Sequence, residues 1–219
     1  SYITTVVAAI VFNPSLDLRD LIICAMITVW ALRLGSFLFL RIKKDGQDKR
    51  FIVMKTKFTW FLMTWTIGGL WVLVTMAAGL AALTSNTTAE LGLVSYLGIA
   101  LWLFGFVVEV TADNQKTEFR KNPDNRNRFI TTGVWSWSQH ANYFGEITLW
   151  FGLALVALPV LSGWQLATLI SPVFVYFLLT KVSGIPLLDR LAKQKWGTDS
   201  AYLSYTQATS KLLLWPPKT

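Results

Sequence analysis

Metal-ligating and redox side chains are nearly absent from this chain of 219 residues, which has one cysteine, Cys24, and one histidine, His140. A lone cysteine inside an apolar run permits no disulfide within the chain, and one histidine with one cysteine excludes the usual zinc clusters. No Walker loop, GxGxxG or GxSxG motif occurs, so the familiar phosphate-binding loops and the nucleophile elbow have no signature here. His140 has no nucleophile beside it in sequence, which argues against a hydrolase triad. Charge is scarce too: 15% of residues are Asp, Glu, Lys or Arg, where soluble domains carry about 25%. Signal-peptide pattern, internal repeat and low-complexity tract are all lacking.

What the chain has instead is hydrocarbon. It is 53% apolar, with eleven tryptophans and fourteen phenylalanines, a composition that suits membrane helices with aromatic belts. Long apolar runs cover Leu18–Ile42, Phe58–Leu83, Leu91–Val110, Tyr143–Leu161 and Trp164–Leu179. A partial run, Tyr2–Phe12, is shorter than the roughly 20 residues a crossing needs. Because the chain starts at Ser1 without methionine, an upstream part, as much as a whole helix, is expected. Spanning strands would alternate in short segments, so every run reads as a helix. The expected fold is all-α: one membrane domain over 1–219, a multi-pass transmembrane helical bundle of about six crossings. In the tail, Pro186 breaks or starts a helix, and Leu187–Trp196 reads as a short amphipathic helix ended by Gly197.

The net charge of +8 fits nucleic acid less well than membrane topology. Of the twenty lysines and arginines, all but Arg19, in the loop Asn13–Asp20, and Arg33 fall in Arg41–Lys57, Lys116–Arg128 and Lys181 to the C-terminus. These regions alternate with loops that carry none, so they are expected on one face, the cytoplasmic one. Three segments, 41–57, 109–146 and 181–210, could thus build one site.

Three helical faces carry the charge. Trp30, Arg33, Phe37, Arg41 and Lys44 recur at helical steps and form one stripe. An arginine inside a membrane segment is a functional candidate, though it can also snorkel or pair with an acid. Glu109, Asp113, Lys116 and Arg120 share a second face. They read either as salt bridges along one helix or as a polyanion site, with bases for phosphates and an aspartate for a hydroxyl or amino group. Asn142 and Glu146 lie one turn apart at the start of a membrane helix. Asn142 is either an amide-recognising group or an N-cap. His140, beside Arg128, could help hold phosphate.

The run Ala112–Glu146, ADNQKTEFRKNPDNRNRFITTGVWSWSQHANYFGE, resembles the C-terminal domain of the steroid 5-alpha-reductase family, in particular its bacterial branch of DUF1295-like integral membrane proteins. The segments VSGIPLLDRL at 182–191 and YLSYTQATS at 202–210 fit that branch as well. The wider superfamily includes sterol reductases and isoprenylcysteine carboxyl methyltransferases. The resemblance implies a nucleotide cofactor, NADPH or S-adenosylmethionine, in a pocket open to the cytoplasm. It implies that Asp113 binds the adenosine part of NADPH, that Arg120 and Arg128 meet its phosphates, and that Asn142 and Glu146 hold the nicotinamide carboxamide; Lys116, on the same face as Arg120, joins the cofactor-binding candidates. The stripe of Arg33, Arg41 and Lys44 matches a second arginine-rich helix over the cofactor, and Lys181, Asp189 and Tyr205 are weaker matches. Gln139 and Ala141 stand where the usual pattern has arginine and proline. Trp30 stands near the tyrosine that grips the substrate carbonyl in the steroid enzymes, and the glutamate partner of that tyrosine has no counterpart.

The implied activity is hydride transfer from NADPH to an activated carbon–carbon double bond of a lipophilic, steroid- or isoprenoid-like substrate. Glu146, Tyr143 and Tyr205 are the catalytic candidates, and no metal is involved. An S-adenosylmethionine-dependent methyltransferase and a non-enzymatic lipid-binding protein are the alternatives. The expected setting is a bacterial inner membrane, with membrane lipid and the lipophilic substrate as partners.

Overall fold

The computed structural model describes residues 2–12, 16–45 and 57–217. Eight α-helices occur among them: α1 (Tyr2–Phe12), α2 (Leu18–Asp45), α3 (Phe58–Leu83), α4 (Leu93–Lys121), α5 (Ala141–Ala157), α6 (Ile170–Phe177), α7 (Ile185–Trp196) and α8 (Ser200–Ala208). Five stretches are long and apolar enough to cross a membrane: Leu18–Lys43, Phe58–Leu83, Leu93–Lys121, Ala141–Val160 and Gly163–Trp196. The protein is an all-helical integral membrane protein. The partial run at the start is helical, but α1 has only 11 residues.

Details of the last stretch differ from an uninterrupted helix. Gly163 opens it at φ +53°, and Gly163–Leu169 winds as a 3-10 helix. Gln165 fixes this entry, accepting from the Ser162 N–H at 3.1 Å and donating to the Ala81 carbonyl at 3.3 Å. After α6 the chain widens to one π turn, Leu178–Val182. Pro186 sits in the first turn of α7, where a missing N–H costs nothing, and Gly197 follows its last residue. Arg19, read from sequence as a loop residue, belongs to the first turn of α2.

The residues fall into two compact units, Ser1–Tyr96 with Leu153–Ser171, and Leu97–Gly152 with Pro172–Thr219. In the first, Gly79 of α3 lets Leu153, Ile23 and Ile27 approach to within 3.2–3.3 Å of where a Cβ would stand. Arg19 is the polar anchor of this unit, only 1% exposed. Its Nη1 donates to Ser95 Oγ at 2.7 Å and to the Val156 carbonyl at 2.6 Å. Its Nη2 donates to the carbonyls of Ala89 at 3.1 Å and Glu90 at 2.9 Å. One guanidinium thus satisfies backbone groups of the 89–90 loop and of the last turn of α5, where carbonyls lack helical partners and the helix dipole favours a cation.

In the second unit, glycines set the distance between α4 and α5. A Cβ on Gly105 would lie 2.6 Å from the Gly145 carbonyl, and one on Gly145 would lie 2.6 Å from both the Glu109 N–H and the Gly105 carbonyl. One on Gly152 would lie 2.5 Å from the Trp102 N–H. Small residues let membrane helices touch backbone to backbone, which replaces the hydrophobic drive that lipid removes. Glu109, 3% exposed, is brought by this packing against the turn of α5 that carries Glu146.

Two substitutions test these contacts. Arg19→Leu strands buried acceptors, each worth about 1–3 kcal/mol, and should lower the melting temperature of the detergent-solubilised protein far more than Arg190→Leu, at an exposed position of α7. Gly145→Val should prevent α4 and α5 from closing, seen as loss of a cooperative melt, whereas Gly68→Val, which has open space around it, should leave the melt unchanged.

Candidate functional site

Trp135 organises the polar end of the second unit. Gly133 takes a left-handed φ of +63°, and the Val134 N–H donates to Gln115 Oε1 of α4 at 3.0 Å. This turn drives Trp135 into a core with Ala112, Ile130 and Ala141. The indole Nε1–H donates to the Ala112 carbonyl at 3.0 Å. The Lys116 ammonium stands 4.5 Å over the indole ring, and the Tyr205 hydroxyl donates to the Trp135 carbonyl at 2.7 Å.

The following residues, Ser138–Gln139–His140, are laced to the C-terminal segment. Ser138 Oγ donates to the Leu212 carbonyl at 2.7 Å. The Gln139 N–H donates to the Ser210 carbonyl at 2.9 Å. The Gln139 side-chain amide donates to the carbonyls of Thr206 at 3.0 Å and Thr209 at 2.7 Å. A neutral amide therefore fills the place where the related pattern has an arginine. His140 Nε2 lies 3.2 Å from Asp189 Oδ1, and Lys211 Nζ lies 2.5 Å from Asp189 Oδ2. The ring of His140 stacks on Tyr143, 5.9 Å between centroids. Burial holds the His140 imidazole below its ordinary value of 6.5, outweighing the attraction of Asp189. Burial pushes the Tyr205 phenol up, with Tyr202 adding to the shift; Tyr205 keeps its proton, in a bond to Trp135.

Above these residues opens a cavity of about 660 Å³, within the range of small-molecule sites. Lys116, Arg120, Arg128, His140, Asp189 and Tyr205, all sequence-predicted, line it together. Arg126 lines it too. Lys121 is taken up by Glu118 at 2.6 Å. The guanidinium groups of Arg120, Arg126 and Arg128 meet no acid among the described residues.

Other expected residues do not line this cavity. Asp113 is buried in α4, 8% exposed. Asn142, Tyr143 and Glu146 are half-buried on α5. Asn142 is not an N-cap: α5 starts at Ala141, and its first bond runs from the Phe144 N–H to the His140 carbonyl at 3.0 Å. Lys181 is exposed in the π turn. Trp30, Arg33 and Arg41 belong to the first unit. Trp30 is 2% exposed and packs edge-on against Tyr2, 5.0 Å between centroids. Arg33 is half-buried with its guanidinium 5.4 Å over Phe37. The Lys44 side chain and positions 46–56 lie outside the described residues. Among those residues no group of three or more His, Cys, Asp and Glu is placed to hold a metal ion.

Sequence reasoning missed Arg126, Lys195 and Trp196. Arg126 is off the α4 face, because the 3-10 turn Pro123–Asn125 redirects the chain before it. That turn was legible in Asn122–Pro123–Asp124, where the Asn122 side chain accepts from the Asp124 N–H at 2.9 Å.

Residues 1–209 match the family described as "Protein of unknown function (DUF1295)". The chain belongs to that family. This DUF1295 protein is also similar to 3-oxo-5-alpha-steroid 4-dehydrogenase 1 of Bos taurus, 33% identical over 70 residues, which are 32% of this chain and 27% of the relative. The human protein of the same name is 34% identical over 64 residues, 29% of this chain and 25% of the relative. A probable O-methyltransferase, ustE, of Ustilaginoidea virens is 28% identical over 137 residues, 53% of this chain and 48% of the relative. The chain thus spans about a quarter of the steroid dehydrogenases it matches. No solved structure matches it.

Since His140 is buried with a lowered pKa, the unfolded chain binds its proton more readily, so folded-state stability should fall as pH drops below about 6.5 and level off above. His140→Gln should flatten that part of a melting-temperature profile between pH 5 and 8. Tyr205→Phe leaves the Trp135 carbonyl without its donor and should cost about 1 kcal/mol in a denaturant melt.

Proposed function

We propose that this DUF1295 protein is a membrane reductase that uses NADPH to saturate an activated carbon–carbon double bond of a lipophilic, steroid- or isoprenoid-like substrate. One observation carries the reading: a cavity of about 660 Å³ with Arg120, Arg126 and Arg128 on its lining and, among the described residues, no acid against them. Guanidinium groups without carboxylates form a seat for phosphate, since each offers a planar fork of donors. The donor set fits a dinucleotide with its diphosphate. The similarity to steroid 4-dehydrogenases supports reduction as the reaction.

In this reading Arg120, Arg128 and Lys116 hold phosphate, and neutral His140 adds a hydrogen bond. Asn142 and Glu146 on α5 recognise a carboxamide, Asp113 a hydroxyl, and Lys181 adds positive charge. When bound, NADPH supplies a hydride. The reduction also consumes one proton, and Tyr143 and Tyr205 are the proposed donors. Tyr205 must first release the Trp135 carbonyl to give its proton. Trp30, packed against Tyr2, offers apolar contact and no hydroxyl to a substrate. The setting is a bacterial inner membrane with the cavity on the cytoplasmic side, as the clustering of lysine and arginine suggests.

The match to the probable O-methyltransferase spans more of the chain and favours a second reading, methyl transfer from S-adenosylmethionine. That cofactor is cationic at sulfur and has no diphosphate, so it needs fewer guanidinium groups than the cavity offers. Thermal shift with each ligand separates the two. NADPH at 100 times its dissociation constant should add about 2.7 kcal/mol of stability, with Arg120→Ala and Arg128→Ala each weakening it about tenfold or more. A shift with S-adenosylmethionine alone would sink the reductase, and no shift with either would leave a lipid-binding protein. Asn142→Ala and Glu146→Ala should each weaken NADPH binding; unchanged affinity in both would remove α5 from the cofactor site.

A further inference from the structure

The cavity has an aromatic wall of which the proposed reaction uses only Tyr205. Phe129 lies at its centre, with centroids 5.7 Å from Trp196, 5.2 Å from Tyr202 and 5.6 Å from Tyr205. Trp196 and Tyr202 are 6.0 Å apart and inclined by 35°. All of these rings line the cavity and are half-buried. The polar handles of two are already spent inside the protein. The Trp196 Nε1–H donates to the Asn127 carbonyl at 2.7 Å, and the Tyr205 hydroxyl donates to the Trp135 carbonyl at 2.7 Å. Ring surface is therefore what Trp196 and Tyr205 offer to a ligand.

A cation is fixed beside this wall. Lys195 Nζ donates to the Arg126 carbonyl at 3.0 Å and stands 4.8 Å over the Trp196 ring. With the Trp196–Asn127 bond, it pins the backbone of Arg126–Asn127 to the last turn of α7. This holds the Arg126 backbone beside the rings, and among the described residues its guanidinium meets no acid. Phe129 stands edge-on to Trp196 and Tyr202, at 65° and 81°; ring surface of this kind beside a phosphate-binding fork suits a purine nucleotide, because any base has a π-face to stack and a phosphate takes the fork.

We propose that this wall is a purine subsite, in which an adenine base lies against Phe129, Trp196 and Tyr202 while the Arg126 guanidinium takes a phosphate carried on the ribose. The inference rests on the nucleotide reading above, and it places the base on the α7–α8 rings rather than at Asp113, which is buried in α4 away from the cavity lining. Adenosine is common to NADPH and S-adenosylmethionine, so the ring wall serves either; only a ribose phosphate engages Arg126.

The test is a titration of the detergent-solubilised full chain with 2′,5′-ADP, AMP and S-adenosylhomocysteine. The wild-type protein should bind 2′,5′-ADP more tightly than AMP. Tyr202→Leu should weaken every ligand it binds about tenfold, and Tyr202→Phe, which keeps a ring, should not. Arg126→Gln should abolish the preference for 2′,5′-ADP while leaving AMP unchanged. A ligand-free melt for each variant shows that it is folded; Tyr202→Leu leaves the Trp196–Asn127 bond in place. If folded Tyr202→Leu and Arg126→Gln bind all three ligands like wild type, the subsite is overturned, and NADPH binding and oxidation by the same variants would show the reductase reading still standing. If the variants lower affinity as stated but the wild type never oxidises NADPH in the presence of enone lipids, the subsite holds and the reductase reading falls.

Discussion

The hydrogen bond from the Trp135 indole to the Ala112 carbonyl, 3.0 Å long, is the contact on which the polar end of the second unit depends. It fixes the 133–136 turn to α4 and so decides where both sides of the cavity begin. Lys116 reaches the cavity over the ring that this bond holds, and Tyr205 reaches it from α8 through the carbonyl of the same residue. The tryptophan is buried, 3% exposed, so its N–H must find a partner inside the protein. A carbonyl near the emerging end of α4 supplies one.

Backbone contact between α4 and α5 is the apolar counterpart of that bond. Lipid tails are as apolar as leucine, so side-chain burial alone does not hold two membrane helices together. Gly105, Gly145 and Gly152 allow main-chain approach instead. The consequence for function is positional. The polar residues of the α4 face and of the first turns of α5, which are costly in lipid, are pressed toward each other rather than toward hydrocarbon.

Much of this was legible beforehand, and the exceptions share a cause. The long apolar runs gave the spanning helices, because a membrane demands closed backbone hydrogen bonding over a fixed length. Pro186 and Gly197 marked α7. The density of charge in 109–146 pointed to residues that do meet around one cavity, among them Lys116, Arg120, Arg128 and His140. Helical spacing failed where the chain stops being an α-helix. The cap reading of Asn142, one of two left open, fails because the start of α5 cannot be told from sequence within a residue or two. The 3-10 entry before α6 winds through the apolar run and the π turn after it straddles the end of that run, and apolar spacing does not distinguish either from α-helix. Arg126 and Trp196 come together through backbone carbonyls, which no side-chain pattern encodes.

Asp189 shows how one residue can serve fold and site together. Its two oxygens are divided between His140, which belongs to the entry of α5, and Lys211, which belongs to the C-terminal segment. The same segment is held by Ser138 and Gln139 through main-chain carbonyls, so the residues around His140 are fastened by neutral bonds as well as by charge. An arginine at position 139 would add a cation beside Lys211 and compete for Asp189. Glutamine makes the carbonyl contacts without that competition, which leaves Asp189 to His140 and Lys211 and keeps the imidazole neutral by burial. The departure from the related sequence pattern at 139 is therefore compensated locally, by hydrogen bonds that require an amide donor and no charge.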